Sequence, residues 1–310
     1  MPYSLFEKIM KDNYKHFWKV YLMYGGESLL HPKFPQMIRL CKELGIWQTF
    51  LHTNGTLLTE ELSYKLIEAG LDNMIISFDG DDKETYEKLQ KGANFEKTIE
   101  NIKTFLKVKK KLGSTKPFTS IKMIQSLVDQ SSSVDSGFVK NFEKLPLNLI
   151  YFEKLLAQGE YGKKLLKDSR WKVFNHERLG QQNVKDYFTC YNIYSEVVVN
   201  CQGKVIRCCM DQECYHEVGD LGRGKIKDIW NNKAFISIRE NLQKRIFSGP
   251  CKRCFSLWSG SPRHYLIRNL SEYLTFPKYI IRYYYPNVAG RFLSIPVVNK
   301  LLYTDNLSYY

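Results

Sequence analysis

Residues 20–27 read VYLMYGGE, residues 49–55 TFLHTNG and residues 74–80 MIISFDG. Each is a short apolar run that ends in a polar turn carrying glycine, the pattern of a buried strand and its exit. Between them lie stretches of helical spacing. Phe34–Leu44 stops at Gly45, and Thr59–Ala69 has Thr59 as N-cap, Glu60 and Glu61 in its first turn and Gly70 as its stop. The rhythm continues with a long helix over Asn94–Leu112, a strand over Phe118–Ile124, a helix over Phe138–Lys144 and a strand over Leu147–Phe152. Alternation of this kind predicts an α/β fold with a parallel sheet or barrel. Chemistry in such folds gathers at the C-terminal ends of the strands. Gly25-Gly26-Glu27, Thr53-Asn54-Gly55 and Ser77-Phe78-Asp79-Gly80 are therefore expected on one rim.

The chain has 310 residues, 44% hydrophobic and 25% charged, enough for a real core and against wholesale disorder. Met1–Met10 mixes charged and apolar residues, unlike a secretory signal, and no uncharged apolar run approaches a membrane span. These features point to a cytoplasmic protein. The net charge of +14 is spread along the chain. Its one dense run, Lys107–Lys111, ends a helical pattern, where cations suit the helix dipole. No nucleic-acid fold motif accompanies it, so no nucleic-acid partner is expected.

Of eight cysteines, Cys41 stands alone, and Cys190, Cys201, Cys208, Cys209, Cys214, Cys251 and Cys254 lie in the C-terminal half. In a reducing compartment such a cluster reads as metal binding rather than a disulfide framework. Glu196–Val199 and Lys204–Arg207 form a hairpin pattern, with Cys190 before it and Cys208 at its end. Asp228–Phe247 is expected to be helical, and Gly249-Pro250 breaks it before the C-x-x-C pair Cys251 and Cys254. Four thiolates from these places suit a [4Fe–4S] cluster or structural zinc, and spacing alone leaves both open.

Tyr24–Pro32 (YGGESLLHP), Thr53–Thr59 (TNGTLLT), Gly70–Gly80 (GLDNMIISFDG) and Glu84–Gly92 (ETYEKLQKG) together resemble the middle of a radical S-adenosylmethionine (SAM) domain. Cys190, Gly203–Asp211 (GKVIRCCMD), Gly219–Trp230 (GDLGRGKIKDIW) and Cys251–Cys254 resemble a SPASM or twitch iron–sulfur domain. The resemblance implies a partial (β/α)6 barrel over 1–153, a linker over 154–187, a small α+β SPASM domain over 188–256 and a C-terminal extension over 257–310. It implies that Gly25, Gly26 and Glu27 hold the SAM amino group, and that Asn54, Ser77 and Asp79 either stand at the SAM site or serve only to shape their own turns. Where relatives carry an arginine near SAM, this chain has Gln90 and Lys91. The resemblance further implies that Cys190, Cys208, Cys251 and Cys254 ligate one auxiliary [4Fe–4S] cluster, with Cys209 as the substitute for Cys208, and that Asp211 is a substrate base or a turn residue.

The family's C-x3-C-x2-C loop has no counterpart here, since Cys41 is the only cysteine ahead of Cys190. The barrel is accordingly expected to lack its first strand. A truncated start or a pseudo-enzyme would account for this, and either would leave the strand over Val20–Tyr24 at an edge. A full-length form is expected to be a SAM-dependent radical enzyme acting on a peptide or small polar substrate. This chain alone is expected not to cleave SAM, and the alternative is a non-catalytic cluster- or zinc-binding scaffold. The aromatic, basic stretch Tyr279–Tyr303 suggests weak membrane-surface contact or a tail packed on the domain, with Pro286 and Pro296 interrupting any helix.

Overall fold

The computed structural model describes residues 1–125, 136–154, 190 and 192–254. The serine-rich loop near 131–136 falls almost wholly outside these residues, as do the expected linker and the C-terminal extension. The chain divides into two compact units, Met1–Phe174 with Val197–Phe235, and Asn175–Glu196 with Ile236–Tyr310.

The first unit opens with α1 (Tyr3–Asn13), followed by β1 (Lys19–Tyr21), α2 (Phe34–Glu43), β2 (Gln48–Thr53), α3 (Glu60–Glu68) and β3 (Asn73–Ser77). Then come α4 (Lys83–Leu89), α5 (Phe95–Lys111), β4 (Phe118–Gln125), α6 (Ser136–Lys140) and β5 (Leu149–Lys154). The five strands form one sheet in the order β1-β2-β3-β4-β5, every pair parallel, as the strand–helix alternation predicts. Helix starts follow the expected capping chemistry. Thr59 accepts from the Leu62 amide at 3.2 Å and Asn94 from the Lys97 amide at 2.8 Å.

The register separates two faces of the sheet. Leu51, Met74, Ile76 and Ile121 are fully buried and pack with Ile38, Leu66, Ile102, Phe105 and Leu106 in one core cluster. The opposite face is half-open. There Tyr21 stacks on Phe50 with centroids 4.6 Å apart, and Ser77, Lys122 and Tyr151 share one cross-strand row. Alternation along a strand gives each its two faces.

Below the sheet, at the strands' N-terminal ends, Asp72 is wholly buried between Lys42 Nζ at 2.7 Å and Lys116 Nζ at 2.6 Å. It also accepts from the Thr49 amide at 3.0 Å. Burial alone would raise its pKa, but the two ammonium groups outweigh that and hold the carboxyl below its ordinary value. The knot ties the starts of β2, β3 and β4, far from the rim.

The same unit carries a small antiparallel sheet, β6 (Val198–Val199), β7 (Lys204–Ile206) and β8 (Glu217–Asp220), and then α8 (Ile226–Trp230). It is anchored to α1. The Asn13 side chain accepts from the Ile226 amide at 2.8 Å, and a Cβ on Gly203 would lie 3.2 Å from Leu5. Gly219 has no room for a side chain because Ile229 sits against its backbone.

The single helix expected over Asp228–Phe247 is instead two, α8 and α9 (Lys233–Gln243). Asn232 makes the break. Its side-chain oxygen caps Phe235 N at 3.0 Å, and its amide donates to Val218 O at 2.6 Å. Asparagine favours such capping over a helix interior. In the second unit, α7 (Asn192–Ser195) lies against the later turns of α9. Arg239 donates to Ile193 O at 3.3 Å and sits 5.6 Å over the Tyr194 ring. A 3-10 turn, Gly249–Arg253, follows.

Candidate functional site

The three exits stand at the C-terminal ends of adjacent parallel strands. Gly25 and Gly26 have φ of 56° and 108°, the left-handed region that favours glycine, and a Cβ on either would meet nothing within 4 Å. They leave an open backbone cradle in front of β1. Glu27 then braces the rim. Its Oε1 accepts from the Leu29 amide at 3.0 Å, and its Oε2 accepts from the Asn54 amide at 2.8 Å. One carboxylate thus joins the first exit to the second. Each oxygen keeps a further lone pair for a cation.

Asn54 shapes its own turn. Its Oδ1 accepts from Thr56 N at 3.0 Å and from Thr56 Oγ1 at 2.7 Å. Ser77 closes β3 opposite Lys122. Asp79 Oδ2 accepts from Gln90 Nε2 at 2.6 Å, so Gln90 binds the third exit. Gly80, with φ of 135°, has no space for a side chain, because a Cβ would lie 2.9 Å from the Tyr86 amide nitrogen. The rim residues Gly25, Gly26, Glu27 and Asn54 are therefore brought together, with Ser77 and Asp79 one strand further along.

The strand expected over Val20–Tyr24 runs instead over Lys19–Tyr21, with Leu22 N still donating to Phe50 O at 2.9 Å. Tyr24 Oη donates to the Asp211 carbonyl at 2.6 Å, and Cys214 Sγ lies 3.8 Å from the phenol oxygen. Burial first, then Cys214, keeps this phenol protonated well above its ordinary pKa. Asp211 is 3% exposed. Its carboxylate accepts from Tyr215 N at 3.3 Å and His216 N at 2.8 Å, and His216 Nδ1 lies 3.0 Å from Oδ2. In the structure Asp211 thus shapes the loop after Cys208. Cys214 holds a left-handed backbone, φ 57°, uncommon for a residue with a side chain.

No disulfide joins any of the eight cysteines. Cys190, Cys251 and Cys254 are buried in the second unit, and Cys208 is half-buried in the first. Cys251 lies within the 3-10 turn Gly249–Arg253 and Cys254 follows it with extended backbone, its amide donating to Cys251 O at 3.4 Å. Among the described residues no three His, Cys, Asp or Glu side chains stand together at metal-holding distance. The donor chemistry still fits: soft thiols suit iron–sulfur, and Cys251 and Cys254 stand three residues apart in a C-x-x-C pair. Cys41 is buried within α2, its thiol pushed up to about 12 by burial, which suits packing rather than ligation.

Sequence reading missed Tyr24 and His216 as site-building residues, and missed Lys122 and Tyr151 on the half-open face. Alternation in Phe118–Gln125 carried a signal for Lys122. Nothing local signalled Tyr24, whose partner is 187 positions away.

A parallel sheet with three glycine-bearing exits on one rim, followed by a cysteine-bearing hairpin, defines an α/β protein whose candidate site lies at the strand ends. The radical SAM superfamily model matches residues 2–116, and the SPASM iron–sulfur cluster-binding domain model matches residues 190–255. The family's cofactors are iron–sulfur clusters and SAM. Among curated relatives, the tungsten-containing aldehyde ferredoxin oxidoreductase cofactor-modifying protein of Pyrococcus furiosus is 24% identical, the match covering 82% of this chain and 79% of that protein. GTP 3',8-cyclase of Chlorobaculum tepidum is 37% identical over 83 residues, 26% of this chain and 25% of that protein. The solved structure of native anSMEcpe with bound AdoMet superposes with a TM-score of 0.54 at 18% identity, covering 85% of this chain and 81% of that one. The same protein with AdoMet and the Cp18Cys peptide gives 0.52 at 18% identity, with the same coverage. These likenesses establish the fold. Among the described residues no helix is long and apolar enough to cross a membrane.

Proposed function

We propose that this chain is an iron–sulfur protein whose Cys190, Cys208, Cys251 and Cys254 hold one auxiliary [4Fe–4S] cluster, and whose rim receives SAM. The observation that carries the reading is the buried Cys251–Cys254 pair, three residues apart at a tight turn, inside the stretch that the SPASM model matches. Such a cluster, when bound, supplies one-electron chemistry.

The chain's own residues do the rest. Gly25 and Gly26 leave room for a ligand's polar end to approach the backbone, and Glu27 offers carboxylate lone pairs to its ammonium group. Asn54, Ser77 and Asp79 set the neighbouring exits. Asp211, held against His216, is the candidate acid–base group. The half-open face bearing Lys122 and Tyr151 is the proposed floor for a peptide or small polar substrate. Support comes from relatives whose names record GTP and a bound peptide.

The chain on its own supplies no C-x3-C-x2-C set and does not cleave SAM. The test is iron, sulfide and zinc content after anaerobic reconstitution of wild type and Cys251→Ala, with 5'-deoxyadenosine assayed under strong reductant. About four irons per chain, lost in the variant, and no deoxyadenosine are expected. Zinc in place of iron refutes the cluster assignment and favours a structural role for the four thiolates.

A further inference from the structure

The Asp211 carbonyl is a junction between two parts of the chain that sequence places far apart. It accepts from Cys214 N at 2.9 Å and from Tyr24 Oη at 2.6 Å, which uses both of its lone pairs. Asp211 N in turn donates to Cys208 O at 3.1 Å. Two successive turns, Cys208 to Asp211 and Asp211 to Cys214, thus share the residue that Tyr24 grips. On its other side Tyr24 is bonded directly to Gly25. The next two residues are Gly26, with its left-handed backbone, and Glu27, which fastens the amides of Leu29 and Asn54. Glycine backbone in an open loop has wide conformational freedom, so the preceding anchor decides where the loop stands. All of these residues lie in the first compact unit.

We infer that Tyr24 is a positioning residue that ties the Gly25–Glu27 turn to the Cys208–Cys214 loop, so that filling the auxiliary cluster site orders the SAM-binding turn. The inference rests on the reading of Cys208 as a cluster ligand. Loading Cys208 fixes the loop, the loop fixes the Asp211 carbonyl, and the phenol passes that restraint to the glycines. Coupling between two sites is reciprocal, so SAM on the rim also steadies the cysteine loop. The phenol stays a donor throughout the neutral range, since burial and Cys214 raise its pKa.

The experiment is hydrogen–deuterium exchange on wild type and Tyr24→Phe, each before and after anaerobic loading with iron and sulfide, with iron content measured on every sample. Tyr24→Phe keeps the ring and removes one hydrogen bond. In the unloaded protein it is expected to speed exchange roughly fivefold, the equivalent of one net hydrogen bond. The effect should reach Leu29 and Asn54 as well as Cys214. A purely local contact moves Cys214 alone, and that result overturns the tether. Loading is expected to slow Leu29 and Asn54 in wild type and leave them unchanged in Tyr24→Phe. Iron uptake with no slowing in wild type overturns the coupling even if the variant fails to fold. Absence of iron uptake overturns the four-cysteine reading and the coupling with it, while the unloaded comparison still judges the tether.

Discussion

Replacing Glu27 with glutamine removes one of two bonds that hold the rim together. In the native carboxylate each oxygen accepts one backbone N–H, Leu29 at 3.0 Å and Asn54 at 2.8 Å. Glutamine keeps one acceptor and turns the other position into an amide donor facing an N–H donor. A hydrogen bond to a charged group contributes about 1.5–3 kcal/mol. Glu27 is half-buried, so the lower end applies, about 1.5–2 kcal/mol. At about 1.4 kcal/mol per factor of ten, local opening at one of the two amides should become roughly 10–30 times more frequent. Glu27→Ala should release both amides. The assay is amide exchange resolved at Leu29 and Asn54, with circular dichroism to show that the sheet persists. Wild-type exchange at both amides in Glu27→Ala would refute the claim that this carboxylate joins the two exits.

Asp72→Asn leaves Lys42 and Lys116 facing a neutral group and should cost about 3–5 kcal/mol in chemical denaturation, the cost of breaking a buried ion pair. The depressed Asp72 pKa gives stability that is present above its unfolded value of 3.8 and is lost as pH falls from there towards the folded value; a pH series of denaturation midpoints in wild type and Asp72→Asn reads it. Lys109 is buried at the foot of β4 and bonded to Pro146 O at 3.1 Å and Asn148 Oδ1 at 3.0 Å; burial lowers its pKa from 10.5 to about 8. The unfolded chain therefore binds more protons between those values, so stability should rise with pH from 8 to 10.5 in wild type and lose that rise in Lys109→Met. A thiol reagent at pH 8 should label exposed Cys201 in the native protein and reach buried Cys41 only after unfolding, as mass spectrometry of digests would show.

The strand exits were legible because each apolar run ends in glycine, and the helix starts because Thr59 and Asn94 carry their caps in plain sequence. The paired cysteines were legible for the same local reason. What escaped the sequence is long-range. The Glu27 bond to Asn54, the Gln90 bond to Asp79 and the Tyr24 bond to Asp211 are set by which strand ends and loops the fold places side by side. Gln90 illustrates the limit well. In sequence it is one polar residue among several after a helix, and in space it is the partner of a rim carboxylate. The helix expected over Asp228–Phe247 failed because periodicity runs on through Asn232, while a capping side chain interrupts the backbone there.

The seat of Leu5 against Gly203 and Gly222 makes the N-terminal helix a lodger in the cysteine-bearing hairpin. A larger residue at position 5 would press on glycine backbone that has nothing left to give up, and a side chain at either glycine would need a smaller residue at position 5. With Asn13 supplying the acceptor for the Ile226 amide, the segment around 203–226 excised alone would carry an unfilled apolar notch and an uncapped helix. Residues 5 and 13 are therefore tied to the hairpin segment 203–226, and neither piece is a portable module.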